Sequence, residues 1–322
     1  MTPRLRRLRK TAALREAVAE TRLHAARLIQ PHFVIEGDGE QPVDSMPGIS
    51  RMGIKRLVDR VSKDFELGIT SVLLFGVTES KDSKASSATA ENGLVPRAIK
   101  ALRDKLGDKL VIFTDVCLCG SMDHGHCGVV RGSEILNDES LPLLSAMALA
   151  HAKAGADVVA PSDMMDLRVQ AIRRVLDEEG FVNTAILSYS TKFASAFYGP
   201  FREAADSAPK MGDRRSYQAD FRNARAAIAE SVTDEEQGAD MLMVKPALSY
   251  LDLIAAIRQR TLLPLAAYNV SGEFSLVKAA AARGWISEPA LVKEILTSIA
   301  RAGADLIITY HAREALQGGW LA

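Results

Sequence analysis

The stretch AGADVVAPSD, residues 154–163, joins a helix-like segment to a short apolar run through Gly-Ala-Asp. The same junction returns as GADMLMVKPA from Gly238 and AGADLIITYH from Ala302, with a looser form, ELGITSVLLFG, from Glu66. A glycine at the helix end accepts the left-handed conformation that stops a helix. The apolar run after it suits a strand covered on both faces. Extending this reading along the chain predicts eight strands, at 28–34, 69–75, 110–115, 157–160, 184–189, 240–244, 264–268 and 305–310. Helical patterns such as LPLLSAMALAHAKAG and SLVKAAAARG separate most of them. Eight βα units of this kind predict an α/β fold, a closed (β/α)8 TIM barrel over residues 27–322. Residues 1–26 then form an extended N-terminal arm. A doubly wound open sheet is the alternative, but no Gly-rich phosphate fingerprint follows a first strand.

Composition narrows the function. Forty basic residues balance forty acidic ones, so no nucleic-acid partner is expected. No apolar run approaches the length of a membrane span, so no membrane association is expected either. The N-terminus MTPRLRRLRKTAALREAVAETRLHAARLI is basic but lacks an apolar signal core, which points to the cytoplasm. Three cysteines cannot all pair within one chain; free or metal-bound thiols in a reducing compartment are expected. Leu5, Leu8, Leu14 and Val18 read as anchors that lay the arm on a partner subunit.

Barrel chemistry gathers at the C-terminal ends of the strands. Here those ends carry Asp115, Ser162-Asp163, Ser190 with Lys192, Lys245, Asn269 with Ser271, and Tyr310 with His311. Two connections are long. VTESKDSKASSATAENG predicts a mobile surface loop. The segment of about residues 190–221 predicts a lid or binding loop without clear structure of its own.

All three cysteines fall in TDVCLCGSMDHGHCGVV, residues 114–130. In extended backbone Cys117 and Cys119 point to one side and can converge on one ion, and Cys127 can supply a third thiolate. Three thiolates leave a fourth position open, as in a catalytic site; His124, His126 or Asp123 could instead close it. Lys245 ends the apolar run MLMVKPA, where loss of water lowers its pKa and frees a neutral amine for Schiff-base chemistry. Lys192 has the same character, and two ammonium groups depress one another further. Arg202 and Arg214 are forks for a carboxylate, and Ser271 and Tyr310 are neutral donors for a second one. Together they favour a carbonyl substrate that carries a carboxylate.

With these residues in hand, the chain resembles the delta-aminolevulinic acid dehydratase (porphobilinogen synthase) family along nearly its whole length. The resemblance is carried by APSDMMD (160–166), SYSTKFASAFYGPFR (188–202), GDRRSYQ (212–218), GADMLMVKPALSYLD (238–252) and LAAYNVSGEF (265–274). It implies condensation of two 5-aminolevulinate molecules to porphobilinogen with loss of two waters. It implies Schiff bases on Lys245 and Lys192, with Asp115 as an acid near the reacting amine. Arg202, Arg214 and Gln218 would hold one carboxylate, Ser271 and Tyr310 the other, and Tyr198 and Phe201 would form an aromatic lid. Cys117, Cys119 and Cys127 match the family's zinc branch. Glu230 matches a glutamate that helps hold an allosteric magnesium between subunits. The arm would wrap a neighbouring subunit, in a homo-octamer.

The sequence departs from the family at CLCGSMDHGHCG, where Gly120 and Ser121 replace a rigid proline and an aromatic, and Met122 and Asp123 replace smaller residues. Asp123 beside three thiolates is expected to favour a bound cation or to serve as a ligand itself. Leu167 stands where glycine commonly follows the family's MMD, and ADF fills 219–221. Altered packing is expected at both.

Overall fold

All eight predicted runs fold as strands: Leu28–Ile35 (β1), Ser71–Gly76 (β2), Val111–Val116 (β3), Val158–Pro161 (β4), Ala185–Lys192 (β5), Met241–Lys245 (β6), Leu265–Asn269 (β7) and Leu306–Thr309 (β8). They pair in parallel in chain order, and β8 returns to β1 through Leu28↔Ile307 and Ile29↔Ile308. The sheet therefore closes into the expected barrel. The computed structural model describes residues 3–321; residues 1, 2 and 322 of the arm and barrel segments lie outside the described residues. Helices such as Leu94–Leu106, Asn137–Lys153 and Glu288–Ala302 run between the strands.

Period-2 alternation builds two layers of core. Phe33, Phe113, Leu187, Met243, Tyr268 and Tyr310 share one cluster inside the barrel. Their neighbours Leu242, Val244 and Ile307 pack instead with helix residues such as Leu253, Ile257 and Leu296. Two buried polar contacts brace the outer layer. Asp64 takes both forks of Arg313 and faces His32 at 3.4 Å. His151 meets the Thr114 hydroxyl at 3.0 Å.

The arm holds a 3-10 turn, Leu5–Arg9, and a short helix, Ala12–Ala17, capped by Thr11 accepting from Leu14 N–H. Neither buries a residue in this chain: Leu5, Leu8 and Val18 are 75%, 54% and 47% exposed. The segment read as a mobile surface loop is packed down. Ala85 and Ala88 are buried, and Asp82 exchanges backbone hydrogen bonds with Ser121 and Asp123. Small alanines spaced among its polar residues let it lie on the cysteine segment. The lid segment also carries structure, a 3-10 turn at Ala196–Tyr198 and the helix Gly199–Ala204.

Leu167 adopts φ 65° just before the helix Arg168–Glu178, with its side chain half exposed. That left-handed backbone explains why glycine suits the position, since a Cβ there crowds the following carbonyl. Among the described residues no helix is long and apolar enough to cross a membrane.

Candidate active site

Lys245 is the last residue of β6 and follows Met243 by two, so the strand alternation turns it into the barrel mouth. It is 4% exposed and sits among four rings, with Nζ 4.3 Å from the centroid of Tyr268, 4.9 Å from Phe201, 5.0 Å from Tyr189 and 5.4 Å from Tyr198. The ring faces favour the ammonium form. Burial opposes them and wins: together with the charge of Lys192 it lowers the Lys245 pKa to about 7. A pKa near 7 makes a neutral amine accessible near neutral pH.

Lys192 reaches the same place by a different route. Leu187 and Tyr189 face inward, and strict alternation would send Lys192 outward. The pairing of β5 with β6 shifts register between Leu242↔Ser188 and Val244↔Thr191. At this bulge Ser190 and Thr191 both turn out, to the Ser231 hydroxyl, and Lys192 turns in. Its Nζ donates to the Ser162 carbonyl and lies 5.7 Å from the same Tyr189 ring that Lys245 faces.

Asp115 follows the inward Phe113 by two residues on β3. Its Oδ1 is buried without a hydrogen-bond partner. Burial raises its pKa, against the pull of Lys192 and a Ser162 hydrogen bond. A proton can therefore be held beside the two amines.

One more inward step brings Cys117. The backbone does not stay extended after it, as the spacing argument assumed; Leu118–Gly120 is a 3-10 turn. The turn still brings the sulfurs together. Cys117 and Cys119 Sγ are 3.2 Å apart, and all three Sγ atoms lie within 4.8 Å of one another. The cysteines are buried and unpaired by disulfides. Hydrogen bonds from Cys117 and Cys119 pull the Cys127 thiol well below its ordinary pKa, so one thiolate is favoured already. Three soft donors at this spacing fit a tetrahedral thiophilic ion with one position left open.

None of the alternative ligands joins the three sulfurs in their cluster. Asp123 is exposed, and its N–H pairs with the Asp82 carbonyl. His124 Nδ1 accepts from His126 N–H. The His126 ring spans the Met211 carbonyl at 2.8 Å and the Tyr217 hydroxyl at 3.2 Å. Met122 is fully buried with Ala85 and Ala88 of the packed 77–93 loop.

Arg202, Arg214 and Gln218 line one cavity with Phe197 and Tyr250. Both polar atoms of Gln218 and the Nε atoms of Arg202 and Arg214 are buried and unpartnered. Such groups are costly to bury unless a ligand satisfies them. Arg214 also donates to the carbonyls of Gly125 and Ser207, which ties the lid to the cysteine segment.

Ser271 and Tyr310 are not in direct contact. Tyr310 bonds the Tyr268 hydroxyl at 2.9 Å, inside the barrel. Ser271 Oγ accepts from Phe201 N–H at 3.0 Å and donates to the Phe197 carbonyl at 3.3 Å. Tyr198 donates to the Lys245 carbonyl at 3.1 Å, and its ring and that of Phe201 lie 5.4 Å and 4.9 Å from Lys245 Nζ.

Sequence reasoning missed Tyr189, whose ring faces both Lys245 and Lys192, and Tyr268, whose ring faces Lys245. Their signal was present, since each follows an inward residue by two. Glu230 lies half-buried on the helix Ala224–Glu236, where burial raises its pKa near Arg168 and Asp234. Among the described residues the three-ligand clusters are the cysteine triplet and Glu288–His311–Glu314; Glu230 belongs to neither.

The family model described as Delta-aminolevulinic acid dehydratase matches residues 2–318. The delta-aminolevulinic acid dehydratase of Bacillus subtilis (strain 168) is 52% identical over 320 residues, spanning 99% of this chain and 98% of that protein. The one from Methanothermobacter thermautotrophicus is 52% identical over 318 residues, spanning 98% of this chain and 97% of that protein. A crystal structure of the Toxoplasma gondii ME49 delta-aminolevulinic acid dehydratase (porphobilinogen synthase), in complex with the reaction product porphobilinogen, superposes with a TM-score of 0.97 at 45% identity. It covers 99% of this chain and 92% of that one.

Proposed function

Since the chain belongs to the delta-aminolevulinic acid dehydratase family, we propose that it condenses two 5-aminolevulinate molecules to porphobilinogen with loss of two waters. The observation that carries the chemistry is the pair of buried lysines against one ring, with the pKa of Lys245 lowered to about 7.

The neutral Lys245 amine attacks the keto carbon of one substrate and expels water to give an imine. Lys192 captures the second substrate in the same way. Arg202, Arg214 and Gln218 take a carboxylate with the donors that are otherwise unsatisfied. Ser271 and Tyr310 serve the other carboxylate; the Ser271 hydroxyl exchanges its lid contacts for it. Asp115 holds or accepts a proton beside the amines. Tyr198 and Phe201 keep water from the imines, which protects them from hydrolysis.

Cys117, Cys119 and Cys127 would hold zinc, whose chemistry there is polarisation of a substrate oxygen or nitrogen. Glu230 would contribute to a magnesium shared between subunits. The exposed leucines of residues 1–26 suit burial on a second copy of this chain in a homo-octamer, with residues 27–322 as the catalytic barrel, in the cytoplasm.

The test is porphobilinogen formation by the purified protein under reducing conditions, before and after chelation and with zinc restored. Activity lost on chelation and regained only with zinc supports the reaction and the three-cysteine zinc site. Activity that survives zinc removal keeps the reaction and removes the cysteines from it. No product in any state, or near-normal turnover by Lys245→Ala, overturns the reaction assigned here.

A further inference from the structure

The first turn of the helix Ser271–Ala282 touches both halves of the site. On one side Ser271 holds the lid backbone at Phe197 and Phe201. Gly272 lies so close that a Cβ there would sit 2.4 Å from the Phe197 carbonyl oxygen. On the other side Glu273 reaches the turn that follows Lys245.

Glu273 is 1% exposed, and both of its oxygens are used. Oε2 accepts from Val270 N–H at 2.9 Å and from Asn269 Nδ2 at 3.0 Å. Oε1 accepts from Leu248 N–H at 2.8 Å, three residues beyond Lys245. Asn269 Oδ1 accepts in turn from the Thr309 hydroxyl at 2.9 Å. The chain of contacts crosses the tips of β6, β7 and β8.

Ordinary helix capping accounts for the bond to Val270, because a glutamate at the third helical position commonly reaches back to the cap N–H. Capping does not account for a buried carboxylate that also reaches a neighbouring strand tip. A capping residue alone could sit in solvent, free of the cost of burying its charge. Here that cost is offset by donors from two strand ends.

We infer that Glu273 is a positioning residue for the reaction: through Leu248 it fixes the strand tip that carries Lys245, and through the helix's first turn it fixes the lid seat at Ser271 and Gly272. The inference rests on the assignment of Lys245 as the imine-forming amine. The carboxylate acts on Lys245 only through backbone and does not touch substrate.

Two substitutions separate this role from capping. In Glu273→Gln the amide nitrogen or oxygen must face the wrong partner. An NH2 toward Asn269 Nδ2 and Val270 N–H opposes donor to donor, and Asn269 cannot flip without losing Thr309. Glu273→Asp keeps the carboxyl group and the cap bond to Val270 but is shorter by one carbon–carbon bond, about 1.5 Å, and cannot also reach Leu248.

The experiment is single-turnover borohydride trapping of 5-aminolevulinate, with mass-spectrometric location of the adduct, on folded, zinc-loaded protein. KM and kcat are measured alongside. Misplacing a reacting group by about 1 Å costs on the order of a hundredfold. Both variants are therefore expected to trap at Lys245 at least about tenfold more slowly, with a raised KM, while Glu273→Asp keeps a near-parent melting temperature. Glu273→Asp trapping and KM within about twofold of the parent would overturn the inference, even if Glu273→Gln does not fold. If the parent itself forms no adduct at Lys245, the reaction assignment fails instead, and the two failures are told apart by that control.

Discussion

Replacing Lys192 by methionine removes a charge from the neighbourhood of Lys245 and leaves the apolar stem. Both ammonium groups lie within 6 Å of the Tyr189 ring centroid. For two buried unit charges on the order of 8 Å apart, an effective dielectric near 20 gives a repulsion of about 2 kcal/mol. That is about 1.5 pKa units. Burial, the larger cause of the depression, persists in the variant, and so does the opposing pull of Asp115. The Lys245 midpoint is therefore expected to rise from about 7 to the range of about 8 to 8.5. At pH 7 the neutral fraction falls from about one half to a few per cent, so the first imine forms roughly tenfold more slowly. Lys192→Met cannot complete turnover if Lys192 holds the second substrate, so the assay is borohydride trapping at Lys245 across pH 6 to 10. An unmoved midpoint, or one that falls, would refute the claim that Lys192 helps to set the amine.

His151 and His311 are held near pKa 3 by burial, so the native state keeps them neutral while the unfolded chain protonates them near 6.5. Stability should drop by about 2 kcal/mol for each between pH 7 and 5, read as a lower urea midpoint. Asp64→Asn leaves the Arg313 charge poorly paired and should cost about 3 to 5 kcal/mol in the same measurement. Asp64 itself, lowered to about 2 chiefly by Arg313 and His32 against burial, contributes stability above pH 4 that is lost as pH falls through 2. Leu167→Gly relieves the left-handed backbone at a half-exposed side chain and should stabilise by about 0.5 to 1 kcal/mol, seen as a rise in melting temperature. Cys127→Ser should lower the bound zinc per chain, measured by elemental analysis after dialysis, with the secondary structure unchanged.

The sequence by itself determined the barrel, because Gly-Ala-Asp junctions and short apolar runs are local signals, and eight of them admit few closures. It also determined the aim of Lys245 and Asp115. Each follows an inward apolar residue by two along an unbroken strand, so alternation alone turns it into the mouth. Lys192 could not be aimed that way. Its inward turn depends on a bulge that exists only where β5 pairs with β6 and where Ser190 and Thr191 find Ser231 on a neighbouring helix. The cysteine spacing foretold a metal-like triplet, but the convergence of the sulfurs comes from a 3-10 turn pressed under the 77–93 loop. Glu273 drew no reading from the sequence, since it depends on the fold bringing the Leu248 N–H within its reach. In each case the deciding contact joins residues far apart in the chain, and a contact of that kind leaves no period or spacing in the sequence.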